Sequence, residues 1–235
     1  MKKCALFALG GFVASTTMVF AGEMIDDPLL TFVRTDQFEL RDAQGGDRFV
    51  WDAQAWVGYD LKKIWIKTEG ERAAGNTEEA EIQFLYSQSI AKYWDLQAGW
   101  RRDIRPEPNR DWAVFGVQGL APYFFEVDAA LFVGTDGRTA ARLEAEYEFL
   151  ITQRLILTPD IEFNLYGKDD PVIGVGSGLS DMELGLRLRY EIRREFAPYV
   201  GVNWIKKFGG TADLARVAGE PSEDLQWVAG IRVWF

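Results

Sequence analysis

The chain has no histidine, and its only cysteine, Cys4, lies at the very start. Without histidine it lacks the usual general base of hydrolases, so a Ser–His–acid triad is impossible. With no cysteine after residue 4, disulfide bonds and thiolate metal sites are excluded from the rest of the chain. Two carboxylates could in principle form a hydrolase site, but acids that neutralise basic groups explain the same residues. We therefore expect no enzyme, no catalytic residue and no resident cofactor site.

Basic residues are also scarce. The chain has 26 Lys and Arg against 36 Asp and Glu, a formal net charge of −10 at pH 7. This balance argues against a nucleic-acid partner, because few cations are available to neutralise phosphates. An acidic protein instead attracts cations.

Long hydrophobic runs are missing except at the start of the chain. Lys2 and Lys3 precede an apolar segment at 5–20, and small residues before Gly22 suit a cleavage site. Glycine, serine and threonine interrupt this segment, whereas a membrane helix needs about 20 solidly apolar residues. We expect a signal peptide at 1–21, a short periplasmic segment at 22–28 and the folded region at 29–235.

The dominant pattern in the folded region is an alternation of apolar and polar residues. From Met182 to Ile192, one set holds Met, Leu, Tyr and Ile, and the other holds Glu, Gly and Arg. A period of two is typical of a strand with unlike faces. The pattern recurs and predicts twelve strands, at 29–41, 48–59, 62–72, 78–89, 92–103, 111–120, 123–134, 138–150, 153–166, 180–192, 196–208 and 224–235.

The connections between these strands alternate in length. Every second one is tight, at 60–61, 90–91, 121–122, 151–152 and 193–195. The others are mostly longer, at 71–77, 105–110, 167–179 and 209–223, although 134–137 is short. Short turns on one side and longer loops on the other are typical of outer-membrane barrels. We predict an all-β fold: one transmembrane, antiparallel, up-and-down β-barrel of about twelve strands, with short periplasmic turns and longer extracellular loops.

The C-terminus and the aromatic residues favour the same fold. Ile231, Val233 and Phe235 end an alternating apolar face on the last residue, which resembles the signal that the barrel-assembly machinery recognises. Two aromatic bands are expected to flank an apolar belt in contact with outer-membrane lipid. The short-turn band is Tyr59, Tyr93, Trp94, Tyr123, Phe196, Tyr199 and Trp234, and the long-loop band is Phe49, Trp65, Trp100, Trp112, Tyr166 and Trp204. Pro159 falls inside a predicted strand, where a bulge or bend is expected because proline cannot donate a ladder hydrogen bond.

The inward faces of the strands should form a polar lumen, either a narrow pore or a closed polar core. We expect Arg187 and Arg189 to pair with lumen acids such as Glu144, Glu146 and Glu162. Lumen carboxylates could also attract metal cations. The candidate metal-binding residues are Met182, Glu183, Glu144, Glu146 and Glu162. The parity of Met182, its odd or even place in the alternation of the strand, nevertheless puts it on the lipid side. Copper would normally use imidazole and thioether ligands, and apart from Met182 only Met24 follows the signal peptide.

Several segments resemble the copper resistance protein B family over about 29–235. They are WDAQAW (51–56), KTEGE (67–71), GVQGLAPY (116–123), TQRL (152–155), GLSD (178–181), GLRLRYEIRREFAPY (185–199) and RVWF (232–235). The resemblance implies an outer-membrane protein of copper resistance that handles copper ions alongside a periplasmic multicopper oxidase. Family members commonly carry a Met- and His-rich segment before the barrel, whereas only 22–28 stands there in this sequence.

Three functions are compatible with these patterns. The first is a non-enzymatic barrel of the cell outer membrane that moves or binds copper. The second is a general small pore without metal selectivity. The third is a structural barrel that docks a periplasmic partner.

Overall fold

The computed structural model describes residues 27–235, so the predicted signal peptide and most of the 22–28 segment lie outside it. Within this range no helix is long and apolar enough to cross a membrane. One α-helix, α1 (Gly209–Ala218), accompanies thirteen strand segments. These are β1 Leu30–Ala43, β2 Gly46–Gly58, β3 Lys62–Ala73, β4 Asn76–Ala91, β5 Trp94–Arg105, β6 Arg110–Ala121, β7 Phe125–Gly134, β8 Thr139–Glu146, β9 Phe149–Leu150, β10 Leu155–Tyr166, β11 Gly178–Tyr190, β12 Phe196–Lys207 and β13 Glu223–Trp234.

The strands form one closed antiparallel barrel. Neighbours along the chain pair with each other, and β13 pairs with β1 to close the sheet. The segments β8 and β9 pair with the same strand, β10, in one unbroken register and together make a single barrel strand. The barrel therefore has twelve strands, which confirms the predicted count and fold class.

Pro159 explains why that strand is in two pieces. The expected irregularity lies not in β10 itself but in the strand beside it, at residues 147–148. Pro159 accepts a hydrogen bond from the Tyr147 amide, at 3.1 Å, but has no N–H to return one. The ladder is interrupted there without a change of register.

Side-chain polarity is reversed relative to a soluble protein. Leu40, Leu131 and Trp227 face outward and are 60–67% exposed, whereas Glu39 and Arg41 on the alternate face are 1% and 3% exposed. Apolar residues outside and charged residues inside are typical of a transmembrane barrel whose belt contacts lipid. The alternation in the sequence therefore separates a lipid face from a lumen face.

Loop lengths are less regular than predicted. The segment 71–77 is not a long loop, because Ala73 pairs with Asn76 and only Ala74 and Gly75 form the turn. Both turn residues have positive φ, 49° and 85°, as in the tight turns that suit the twist of β-hairpins. The two long connections lie at 167–177 and 208–222, and the second contains α1, which was not predicted from the sequence.

The barrel interior is not uniformly polar, which corrects the predicted lumen and part of the aromatic bands. Trp65 and Trp112 belong to an inner apolar cluster with Leu85, Val114 and Phe132, on β3, β4, β6 and β7. Tyr166 and Tyr199 also line the lumen instead of the lipid belt. Parity along each strand distinguishes the two faces, and these four aromatic residues share the parity of charged lumen residues. Tyr59, Tyr93, Tyr123, Phe196 and Trp234 are at least 36% exposed near the short turns, in agreement with the predicted short-turn band.

Candidate functional site

The candidate site is the lumen itself. It contains a cavity of about 670 Å³, bounded by side chains from every part of the barrel wall. Fifteen carboxylates and eleven basic side chains line this cavity. The lumen thus has an excess of negative charge, as the acidic composition suggested.

Most of the excess lies on one side, which we call the acidic wall. One row runs across β7, β8, β10 and β11, with each residue directly opposite the next: Asp128, Glu144, Glu162 and Glu183. A second row lies one step nearer the short turns and contains Glu126, Glu146 and Asp160. Residues directly opposite each other in a sheet have Cβ atoms about 5 Å apart, so these like charges are close neighbours.

Two basic side chains connect the acidic wall to the opposite side of the lumen. Arg142 on β8 contacts Glu69 on β3 and Glu81 on β4, the latter at 3.2 Å. Lys67 on β3 reaches in the opposite direction to Asp128 on β7, where Nζ lies 2.5 Å from the carboxylate. Because β3 and β4 are not sheet neighbours of β7 or β8, these ion pairs span the lumen and narrow it.

A buried ion-pair cluster joins β1 to β11. Arg187 donates to both carboxylate oxygens of Glu39, at 3.0 Å each, and Arg41 donates to the same carboxylate at 2.8 Å. Tyr199 supplies a further hydrogen bond to Glu39 at 2.8 Å. Charge-assisted and bidentate hydrogen bonds of this kind are the strong ones in a protein interior.

The predicted partners of two arginines were wrong in detail. Arg187 pairs with Glu39 and Asp160, and Arg189 pairs with Glu148. The acids expected to meet them pair elsewhere. Arg142 lies 3.5 Å from Glu162 and 4.0 Å from Glu144, and Arg232 lies 3.1 Å from Glu146.

The structure brings four of the five candidate metal-binding residues onto the acidic wall. Glu144, Glu162 and Glu183 share one row, and Glu146 lies in the next. Met182 lies directly opposite Phe163 on β10, on the alternate face from the acids, so it stands apart from the lumen. Across residues 27–235, no three His, Cys, Asp or Glu side chains are arranged to hold a metal ion together. A metal role for the five residues stays a prediction.

The two long loops fold together over the extracellular mouth. Ile173, Gly174 and Val175 line the outer part of the cavity, as does Thr211 of α1. The Thr211 hydroxyl accepts a hydrogen bond from the Gly176 amide at 2.9 Å and lies 3.0 Å from the hydroxyl oxygen of Ser180. The mouth is therefore covered by a unit made from both loops.

One buried ion pair fixes this unit to the barrel rim. The Asp170 carboxylate lies 2.8 Å from Arg110 of β6 and 3.3 Å from Arg138. Next to it, Asp169 accepts a hydrogen bond from the Ser177 amide at 2.6 Å, which lowers the pKa of that exposed carboxyl group. These contacts attach the loop to the start of β6 and to the residue that precedes β8.

Sequence reasoning missed several residues that shape the lumen. Glu39, Lys67, Arg142 and Arg232 were not singled out, although their strand parity marks them as inward-facing. Their long-range partners could not be found from the sequence. Each of the four has a partner at least 61 positions away, on a strand that only barrel closure brings near.

Comparison with known proteins identifies relatives for nearly the whole chain. The family model described as copper resistance protein B precursor (CopB) matches residues 29–235. The chain is 47% identical to copper resistance protein B of Escherichia coli, over 91% of this chain and 73% of the relative. It is also 47% identical to a copper resistance protein B homolog of Pseudomonas syringae pv. tomato, over 89% of this chain and 71% of the relative.

Solved structures support the fold. The NanC porin superposes with a TM-score of 0.56 at 9% identity, covering 87% of this chain and 99% of the porin. The KdgM porin superposes with a TM-score of 0.53 at 12% identity, covering 88% of this chain and 99% of the porin. Identities this low show a shared fold alone. Together with the lipid-facing belt and the family match, they place the chain in the outer membrane as a β-barrel.

Proposed function

Because the chain belongs to the copper resistance protein B family, we propose that its barrel moves or binds copper ions at the outer membrane. The family supports a role in copper resistance, and the acidic wall supports a cation as the cargo. The observation that carries the proposal is the row of four carboxylates in direct cross-strand register, Asp128, Glu144, Glu162 and Glu183. Carboxylates in a narrow lumen raise the local concentration of cations.

The chemistry of the lumen favours Cu(II) as the cargo over Cu(I). Thioether and thiolate ligands select Cu(I), whereas oxygen and nitrogen ligands suit Cu(II). The barrel region has neither His nor Cys, and Met182, its one methionine, lies on the lipid side. The lumen therefore offers Cu(II) carboxylate oxygens as ligands.

A periplasmic multicopper oxidase is the proposed partner of the barrel, on the family resemblance described above. Such an enzyme would act on copper at the short-turn end of the barrel. The barrel-assembly machinery is the second proposed partner, through the C-terminal residues Ile231, Val233 and Phe235.

The test uses cells that lack the gene and carry either the wild-type chain or the double variant Glu144→Gln, Glu162→Gln. The substitutions keep the side-chain shape and remove two charges from the acidic wall. The wild type is expected to restore copper tolerance and normal cellular copper, and the double variant to restore much less. Equal amounts of folded barrel must be confirmed in the outer-membrane fraction.

One result would contradict the proposal directly. If removal of the gene leaves copper tolerance and cellular copper unchanged, copper is not the cargo. Planar-bilayer conductance without metal preference would then support a general pore, and absence of conductance would support a docking barrel.

A further inference from the structure

Lys67 is a basic side chain held at the edge of the acidic wall. We propose that it sets the cation selectivity of the lumen, because its ammonium group takes the place beside Asp128 that a permeating cation would need. This inference rests on the proposed function, in which cations pass along the acidic wall. The inference adds that Lys67 controls which ions pass along this wall.

Three groups surround the ammonium group of Lys67. Lys67 extends from β3 across the lumen, and Nζ lies 2.5 Å from Oδ2 of Asp128 and 3.2 Å from Oε1 of Gln118. Its charge also lies 5.8 Å from the ring centroid of Trp65, within the range of a cation–π contact. Asp128 is the first residue of the four-carboxylate row and is directly opposite Glu144. The ammonium group thus neutralises one end of that row.

Lys67 differs from Arg142, which also reaches across the lumen. Arg142 lies within 4.0 Å of four carboxylates, those of Glu69, Glu81, Glu144 and Glu162. Its planar, forked guanidinium group is suited to such fixed multidentate pairing. Lys67 is paired with a single carboxylate and carries a compact charge on a flexible four-carbon stem. An entering cation can therefore displace Lys67 from Asp128 far more easily than it can displace Arg142.

The environment of Lys67 also permits such a displacement. Its side chain keeps 19% of its accessible surface and Asp128 keeps 22%, so both border the open cavity. When a cation binds at Asp128, the ammonium group can turn into this space and stay hydrated. A divalent cation competes better than a monovalent one, because its attraction to the carboxylate is about twice as large.

The experiment compares Lys67→Gln with Lys67→Arg in the purified full-length barrel. Lys67→Gln keeps a hydrogen-bond donor for Asp128 and removes the charge, whereas Lys67→Arg keeps the charge. Lys92→Gln serves as the matched control, because it removes a lysine charge from the short turn between β4 and β5. Resistance of the barrel to unfolding in detergent is checked for each variant before use.

Reversal potentials in planar bilayers under a KCl gradient give the ratio of cation to anion permeability. Calorimetry with CuCl₂ and MnCl₂ gives the affinity for divalent ions. Lys67→Gln is expected to raise both quantities roughly threefold or more, since one local positive charge is removed from a lumen whose low-dielectric walls focus the electric field. Lys92→Gln is expected to match the wild type. Lys67→Arg is expected to leave both quantities at or below the wild-type values, because a guanidinium group holds the Asp128 carboxylate at least as firmly as the ammonium group does.

The outcomes separate this inference from the proposed function. An unchanged permeability ratio and unchanged affinities in Lys67→Gln overturn the inference, as does the absence of ion passage in every variant. A raised permeability ratio without copper binding or copper-dependent tolerance supports the role of Lys67 and contradicts copper as the cargo. Equal gains in Lys92→Gln would show a general charge effect and would also overturn the inference.

Discussion

Glu39 is a residue on which several buried polar contacts of the barrel interior converge. Its side chain is 1% exposed, and it accepts hydrogen bonds from Arg41, Arg187 and Tyr199. Two arginines would lose a shared counter-ion if this carboxylate were neutral. Removing one partner of a buried ion pair is strongly destabilising, because the remaining charge cannot recover its hydration.

We predict that Glu39→Gln lowers the free energy of unfolding of the barrel by about 3 kcal/mol. Urea unfolding of the refolded protein in lipid vesicles, followed by tryptophan fluorescence, measures this change. Glu195→Gln, at an exposed turn between β11 and β12, is the control and is expected to change stability by less than about 0.5 kcal/mol. Similar stabilities for the two variants would show that the Glu39 cluster does not stabilise the barrel.

At the same scale, sequence reasoning identified which residues face inward but not which pairs they form. Glu144, Glu162 and Glu183 were assigned to the lumen from parity alone, and the structure places them there in one row. The expected pairing of Arg187 with Glu144, Glu146 and Glu162 was wrong, because its guanidinium group points to Glu39 and Asp160. Pairing depends on the tilt and stagger of the strands, which alternation does not encode.

At the scale of elements, strands were predictable and loops were not. Alternation gave all twelve barrel strands, because each strand separates lipid from lumen. The turn at Ala74–Gly75 was expected to be longer, since its glycine and charged neighbours also suit a loop. Helix α1 was missed because its ten residues contain glycine at both of its first two positions and lie in a loop without a long apolar period.

The contact of the 167–177 loop with the barrel rim depends on Asp170. We predict that Asp170→Asn releases this loop, because the variant leaves Arg110 buried without its anion. Hydrogen exchange of the amides at 170 and 172–176 is expected to rise at least tenfold, while exchange in β6 and β10 stays unchanged. Asp136→Asn is the control, because that side chain is 78% exposed and lies 3.8 Å from Arg138. If exchange of these amides is unchanged in Asp170→Asn, the ion pair with Arg110 does not hold the loop on the barrel rim.

At the scale of the whole molecule, the pair of strands that closes the barrel, β1 and β13, extends to the last residue. Phe235 exchanges two backbone hydrogen bonds with Val33, at 2.8 and 2.9 Å, and its side chain is 74% exposed on the outside. This placement leaves the ring free to be recognised while the backbone completes the sheet. The pairing of β1 with β13 leaves the barrel without a free edge.

Deletion of Phe235 is predicted to reduce the amount of folded barrel in the outer membrane several-fold. The heat-dependent shift of the barrel on electrophoresis gels measures the folded fraction in cells. Phe235→Tyr, which keeps an aromatic ring and the backbone hydrogen bonds, should assemble like the wild type. Normal assembly of the deletion variant would refute an assembly role for the C-terminus.

The apolar cluster inside the barrel was not predicted from the sequence. A polar lumen was expected, yet one side of it is filled by Trp65, Leu85, Trp112, Val114 and Phe132. These residues alternate with outward-facing residues that are mostly apolar as well, so hydropathy separates the two faces poorly on those strands. The apolar filling leaves the acidic wall as the side along which the proposed cation path would run.

The most direct test of the account is the entry of Cu(II) into sealed lipid vesicles that contain the purified barrel and a trapped fluorescent chelator. The wild-type barrel is predicted to admit Cu(II) faster than protein-free vesicles, and the Glu144→Gln, Glu162→Gln variant to lose most of that increase. If the wild type and the double variant admit Cu(II) equally, or neither exceeds protein-free vesicles, the acidic wall is not a path for copper.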